Sequence, residues 1–239
     1  MTITPIDQEL NIEDEYIVMP LDASETGTEV CAYGDHLVPL DAAGDFDLPL
    51  LIAQSADASE LPAEWEKWGR VNRSEKADAW HTYASDAKFA TLLRDPNKLI
   101  DTGAKYACEV NVSTFHEDPL PVGLAGLWRK RCVSRIWQDA GVKVFVDLHV
   151  VGFARGFVME GVPRTHQLYC TRYKKNDLNG DYLGIEAVEQ DYDLVMEHVS
   201  EDVTPLFVVY GVPSSLVAEC EERGWFCLPN AAVKAKEGR

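Results

Sequence analysis

The segment VFVDLHV, residues 144–150, sets Asp147 and His149 two positions apart among apolar residues. In an extended strand, side chains at that spacing share one face. A carboxylate and an imidazole on a buried face admit three readings: a hydrogen-bonded pair that fixes strand register, part of a metal site, or a general base. CEVNVSTF, residues 108–115, repeats the one-sided polarity with Glu109, Asn111 and Ser113. Two oxygen ligands and a neutral imidazole suit Mg²⁺, Mn²⁺ or Zn²⁺, so Glu109, Asp147 and His149 are the candidate metal set. Such an ion would activate water or steady a phosphate. Asn111 and Ser113 would contact substrate from the same wall. His116 and His166, near strand ends, are further candidate ligands or simply loop histidines.

A second set of residues lies in WRKRCVSR, residues 128–135, and YCTRYKK, residues 169–175. Arg131 and Arg135 are one helical turn apart and share a face. Guanidinium forks suit phosphate, which makes Arg129, Arg131, Arg135 and Arg172 candidate phosphate contacts. The alternative is a solvated helix face with an Arg135–Asp139 pair. Tyr169 and Tyr173, flanked by Arg172, Lys174 and Lys175, join Asp147 and His149 as candidate catalytic groups, since a tyrosine can attack a phosphodiester. A tyrosine pair at this spacing beside a VDLHV strand resembles rolling-circle replication initiators, with Asp147 in place of one histidine. Those enzymes usually carry the tyrosines on a helix, whereas HQLYCTRY reads as a strand.

The elements that must position these groups follow from periodicity. Strands are expected at 106–115, 142–152, 166–173, 205–212 and 225–231, and helices at 85–96, 121–141, 184–200 and 213–224. Prolines at helix starts and glycines after their ends mark the boundaries. The alternation implies an α/β domain over residues 76–239, with a mainly parallel sheet or an irregular partial barrel and flanking helices. An acidic, less regular region, residues 1–75, precedes it. TPIDQELNIEDE reads there as a mobile arm. EYIVMPL, TEVCAY and DLPLLIAQ read as short strands, and a short helix is expected after Pro62. Trp65 and Trp68 either cap a core edge or stack on a base or a partner. Polar side chains on buried strands are costly unless paired, so their faces should line a cleft at the carboxyl ends of the strands.

Charge is unevenly placed. The net charge is −18, yet residues 121–175 hold 10 of the 22 Lys+Arg and 3 of the 40 Asp+Glu. So acidic a chain should not bind nucleic acid over its whole surface, but a basic segment in an acidic frame can form a local anion site. No apolar run reaches the length of a membrane span and the start is acidic, so a cytoplasmic protein without membrane contact is expected. The six cysteines contain no CxxC pair and sit among apolar residues, as free buried thiols would.

The block FHEDPLPVGLAGLWRKR, then GVKVFVDLHV and LFVVYG, resembles an uncharacterised domain family of phages and mobile elements. The matching parts are Asp86 with Phe89, Pro96, NVST at 111–114, WRKR at 128–131, GVKVFV at 141–146 and Tyr210-Gly211, over about residues 80–212. The resemblance implies a phage or mobile-element setting and no particular chemistry. Two functions are expected from these features together. One is an enzyme acting on nucleic acid or nucleotide phosphates through residues 121–175, of the metal-assisted nicking or replication-initiation kind. The other is a non-catalytic acidic protein that binds a host or phage protein through its N-terminal region, as a DNA mimic, an anti-defence factor or a virion component.

Overall fold

The computed structural model describes residues 29–63, 65–69, 77–174 and 184–229. The acidic arm, the EYIVMPL strand and Lys175 lie outside the described residues. A small antiparallel hairpin, β1 (Val30–Tyr33) and β2 (His36–Pro39), comes first. The main sheet has seven strands: β3 (Glu66–Lys67), β4 (Ala79–His81), β5 (Tyr106–Cys108), β6 (Lys143–Asp147), β7 (Leu168–Arg172), β8 (Leu206–Val212) and β9 (Phe226–Pro229). All neighbours are parallel, and their spatial order follows their order in the chain. Successive right-handed crossovers in one direction, added to strand twist, curl such a sheet, and the result is a half-barrel with flanking helices.

The crossovers are α1 (Asp86–Arg94) and α2 (Asn97–Ile100) before β5, α3 (Leu120–Asp139) before β6, α4 (Gly184–His198) before β8 and α5 (Ser214–Glu222) before β9. Between β6 and β7 there is only a 3-10 segment, Gly152–Phe157. The long helices fall where periodicity places them. The strands expected at 106–115 and 142–152 are much shorter, ending at Cys108 and Asp147. DLPLLIAQ is not a strand and contributes one bridge, Leu40 to Pro49. The 3-10 turn near Pro62 precedes it, at Ala58–Glu60. β3, β4 and α2 had no counterpart in the sequence reading. β3 lies before residue 76, where that reading begins its α/β domain.

Three apolar clusters hold the half-barrel. Trp80, Phe89, Trp137 and Val144 pack β4–β6 against α1–α3. Val146, Tyr169, Val188, Phe207 and Trp225 pack β6–β8 against α4 and α5. Leu61, Trp65, Tyr83, Tyr106, Phe145 and Tyr210 fill the concave side. Each fully buried side chain of the size of Phe145 contributes about 1.5–3 kcal/mol. Trp65 and Trp68 are both buried, so their rings serve the core. Residues 51–54 run beneath the amino edge. There the Gln54 side chain donates to Val142 O and accepts from Val144 N–H, both at 2.9 Å, and Gln167 N–H donates to Gln54 O. All six cysteines are free, and five of them are buried.

Candidate functional site

The carboxyl ends of β5 and β6 carry most of the polar residues singled out in the sequence, and the structure divides them into two layers. The lower layer is dry. Glu109 follows the last residue of β5 and is fully buried, as are Asp147, Arg131 and Lys130. Arg131 Nη1 donates to Glu109 Oε1 at 2.5 Å, and Arg131 Nη2 donates to Val158 O. Lys130 Nζ donates to Asp147 O at 2.6 Å and lies 3.6 Å from Glu109 Oε2 and 3.5 Å from Asp147 Oδ2. Asp147 N–H donates to Glu109 Oε2, and the Asp147 carboxylate accepts from Tyr83 Oη at 3.1 Å and Asn111 Nδ2 at 2.9 Å. Two carboxylates and two cations thus neutralise each other, the pairing that a buried ion requires. Burial and then the Asp147 carboxylate raise the Tyr83 hydroxyl well above the ordinary tyrosine range, so it stays a donor.

Lys130 and Arg131 reach this layer because α3 turns its polar-looking WRKR face inward over β5 and β6. The burial of Leu127, Lys130, Arg131, Ser134 and Gln138 follows helical spacing. Arg129 is exposed on the same helix. Arg135 holds protein groups, with Nε on Asp139 Oδ1 at 3.0 Å and Nη1 on Leu50 O at 2.8 Å. None of these arginines is among the described residues that line the carboxyl-edge cleft. Among the described residues no group of three or more His, Cys, Asp and Glu side chains is placed to hold a metal ion. The carboxylates expected as ligands, Glu109 and Asp147, are instead bound to Arg131 and Lys130.

The upper layer is open. A cleft of about 110 Å³ lies across the carboxyl ends of β4 to β7. The segment after β5 supplies Asn111, Ser113, Thr114, Phe115 and His116. His149 and Val151 come from the segment after β6, and Arg172 and Lys174 from the end of β7. Five of the candidate residues, Asn111, Ser113, His116, His149 and Arg172, therefore converge. Side-chain bonds stitch these strand ends together. Thr82 Oγ1 donates to Glu109 O and accepts from Asn111 N–H, Ser113 Oγ donates to Asp86 Oδ1 at 2.7 Å, and Thr114 Oγ1 accepts from Val151 N–H at 2.9 Å. His149 is 8% exposed, and its backbone N–H donates to Asp147 Oδ1 at 3.3 Å, which ties this segment to the dry layer. No carboxylate is among the described lining residues.

The tyrosines separate. Tyr169 is fully buried on the outer face, in the cluster beneath α4, and burial raises its hydroxyl above the ordinary range. Tyr173 is half-buried and packs against the same cluster. His166 lies at the amino edge, far along the chain of bonds from the cleft: it accepts from Gln54 N–H at 3.1 Å and contacts Leu168 O through Nε2. Missed by sequence reasoning was a second buried pair, in which Asp191 of α4 binds Arg155 at 2.8 Å and Thr171 Oγ1 at 2.5 Å. Its signal was an aspartate on the apolar side of an amphipathic helix.

A model of the family described as Domain of unknown function (DUF4417) matches residues 40–172. The chain belongs to this family. The matched span covers β3 to β7 and α1 to α3, and hence every cleft residue except Lys174. It starts earlier than the resemblance seen in the sequence and stops before β8. No curated protein and no solved structure matches the chain. No helix of the DUF4417 chain, among its described residues, is long and apolar enough to cross a membrane.

Proposed function

We propose that this DUF4417 chain is an enzyme acting on nucleotide or nucleic-acid phosphates, with the phosphoryl group bound in the carboxyl-edge cleft. The observation that carries this reading is the charge of the lining. In a chain of net charge −18, the described lining of the cleft presents Arg172, Lys174, His116 and His149 and no carboxylate. Cations and amide donors such as Asn111 stabilise charge on a phosphoryl oxygen in a partly desolvated site. His149 is the proposed general acid–base, because it lines the cleft and an imidazole can both accept and donate a proton. It takes a proton from the attacking water as the new P–O bond forms, and the leaving oxygen is protonated by solvent water as the old P–O bond breaks. The phage or mobile-element setting implied by the resemblance fits nucleic-acid chemistry.

Isothermal titration with inorganic phosphate and with a nucleoside monophosphate tests binding. An assay on a phosphodiester substrate, run with and without Mg²⁺ or Mn²⁺, tests turnover. Arg172→Ala should weaken phosphate binding at least tenfold, and His149→Gln should lose turnover while retaining binding. Absence of phosphate binding by the wild-type chain would overturn the reading. The net charge favours a second reading, a non-catalytic acidic protein that occupies a basic partner. A stoichiometric partner whose capture survives Arg172→Ala and His149→Gln would support that one.

A further inference from the structure

We propose that the ligand is a nucleoside phosphate whose base stacks on Phe115 at the rim of the cleft. The inference rests on the phosphate-binding reading and extends it to the rest of the ligand. A cleft of about 110 Å³ is well below the ~300–1,000 Å³ of pockets that enclose a drug-sized molecule. It takes a phosphoryl group and leaves the remainder of a nucleotide at the rim. Phe115 lines the cleft and is nevertheless 50% exposed. An exposed phenylalanine beside Arg172 and Lys174 pairs an apolar platform with cations, the combination that binds single nucleotides and strand ends.

The platform is held in place. Phe115 N–H donates to Asp118 Oδ2 at 2.8 Å, and Asp118 N–H donates back to Phe115 O at 3.2 Å. On the other side Gly152, at φ +69°, packs so closely that a Cβ there would stand 2.7 Å from Phe115 O. The backbone is therefore clamped from two sides while the ring remains available. A rigid aromatic gains affinity because little rotamer freedom is lost on stacking. Specificity for one base is not expected, since every base offers a π-face.

Titrations with inorganic phosphate, ribose 5-phosphate, adenosine 5′-monophosphate and a short 5′-phosphorylated single-stranded oligonucleotide test this, with Phe115→Ala and Arg172→Ala as variants. Phe115 is exposed, so Phe115→Ala should fold, as circular dichroism and a thermal melt will check. Wild type should bind the monophosphate at least fivefold more tightly than ribose 5-phosphate. Phe115→Ala should erase that ratio and leave ribose 5-phosphate affinity within twofold. Arg172→Ala should weaken all probes together. A bound oligonucleotide that displaces the monophosphate and outbinds it identifies a strand end as the source, and the reverse order identifies a free nucleotide. Equal affinity for ribose 5-phosphate and monophosphate, or an unchanged ratio in Phe115→Ala, overturns the stacking inference while phosphate binding stands. No binding of any probe overturns both.

Discussion

Glu109 and His149 sit just past the ends of neighbouring strands, and both looked like ligands or catalysts in the sequence. In the structure they belong to different layers. Glu109, with Asp147, Lys130 and Arg131, forms a closed set in which each charge is spent on another protein group. His149, with Arg172, Lys174, Asn111 and Ser113, borders an open cleft with no carboxylate among its described lining residues. The dry layer ties β5, β6 and α3 together and orients the strand ends, so the wet layer is presented by a fixed frame. A buried ion pair of this kind adds little net stability over an apolar replacement, but losing one partner is expensive. The two layers should therefore respond oppositely to substitution: the lower in stability, the upper in binding.

The largest effect expected is at the lower layer. Arg131→Met leaves Glu109 buried beside only Lys130 and should cost about 3–5 kcal/mol, read as a urea midpoint shift at constant slope. Adding Glu109→Leu should recover a large part of that loss. If the double variant is no more stable than the single, the layer is not a self-compensating set. Next is acid sensitivity away from both layers. Burial holds the neutral His166 ring down at about 4, against ~6.5 in an unfolded chain. Below ~6.5 the unfolded chain takes up a proton that the folded chain refuses. The stability present above ~6.5 is thus lost as pH falls toward 4, by roughly 3 kcal/mol from this group at ~1.4 kcal/mol per pH unit. Urea melts at pH 7, 5.5 and 4.5 check it, and His166→Gln should flatten the trend.

Asn111→Ala comes third, because it removes a donor from the buried Asp147 carboxylate and opens the cleft wall. About 1–3 kcal/mol of stability should go, together with part of the phosphate affinity. This residue is the hinge between the layers, and a loss in only one measurement would separate them more sharply. Smallest in stability is Arg172→Ala, expected within about 0.5 kcal/mol of wild type while phosphate binding falls. A large loss of stability there would place Arg172 with the structural layer.

Much of the scaffold was legible in the sequence. Phe89 and Leu92 between Ser85 and Pro96, the apolar side of residues 184–198, and the run LFVVYG all carry patterns that packing then respects. Strands β3 and β4 were not legible. Glu66–Lys67 is too short to alternate, and Ala79–His81 is buried throughout, so neither shows a period of two. At the site, Asn111, Ser113 and His149 follow strand ends and Arg172 closes β7, so a parallel sheet brings the four to one edge. The grouping of Glu109 and Asp147 with them assumed that alternation runs on to residues 113 and 149. β5 stops at Cys108 and β6 at Asp147, and beyond those points side-chain bonds rather than pleat set the direction. Lys130 was not among the candidate residues, and only the packing of α3 on β5 and β6 turns its side chain inward.

By itself the sequence determined the α/β class, the long helices, the apolar strands and a cluster of polar groups at one edge. Local propensity and periodicity are properties of neighbouring residues, and neighbours are what a sequence lists. Only the tertiary structure decided the singly wound curl of the sheet, the inward turn of Lys130 and Arg131, and the assignment of each polar side chain to a dry or a wet layer. Those outcomes depend on which distant group meets a charge when water is removed. Arg131 meeting Glu109, 22 residues away in the chain, is a choice made by packing α3 on β5 and β6.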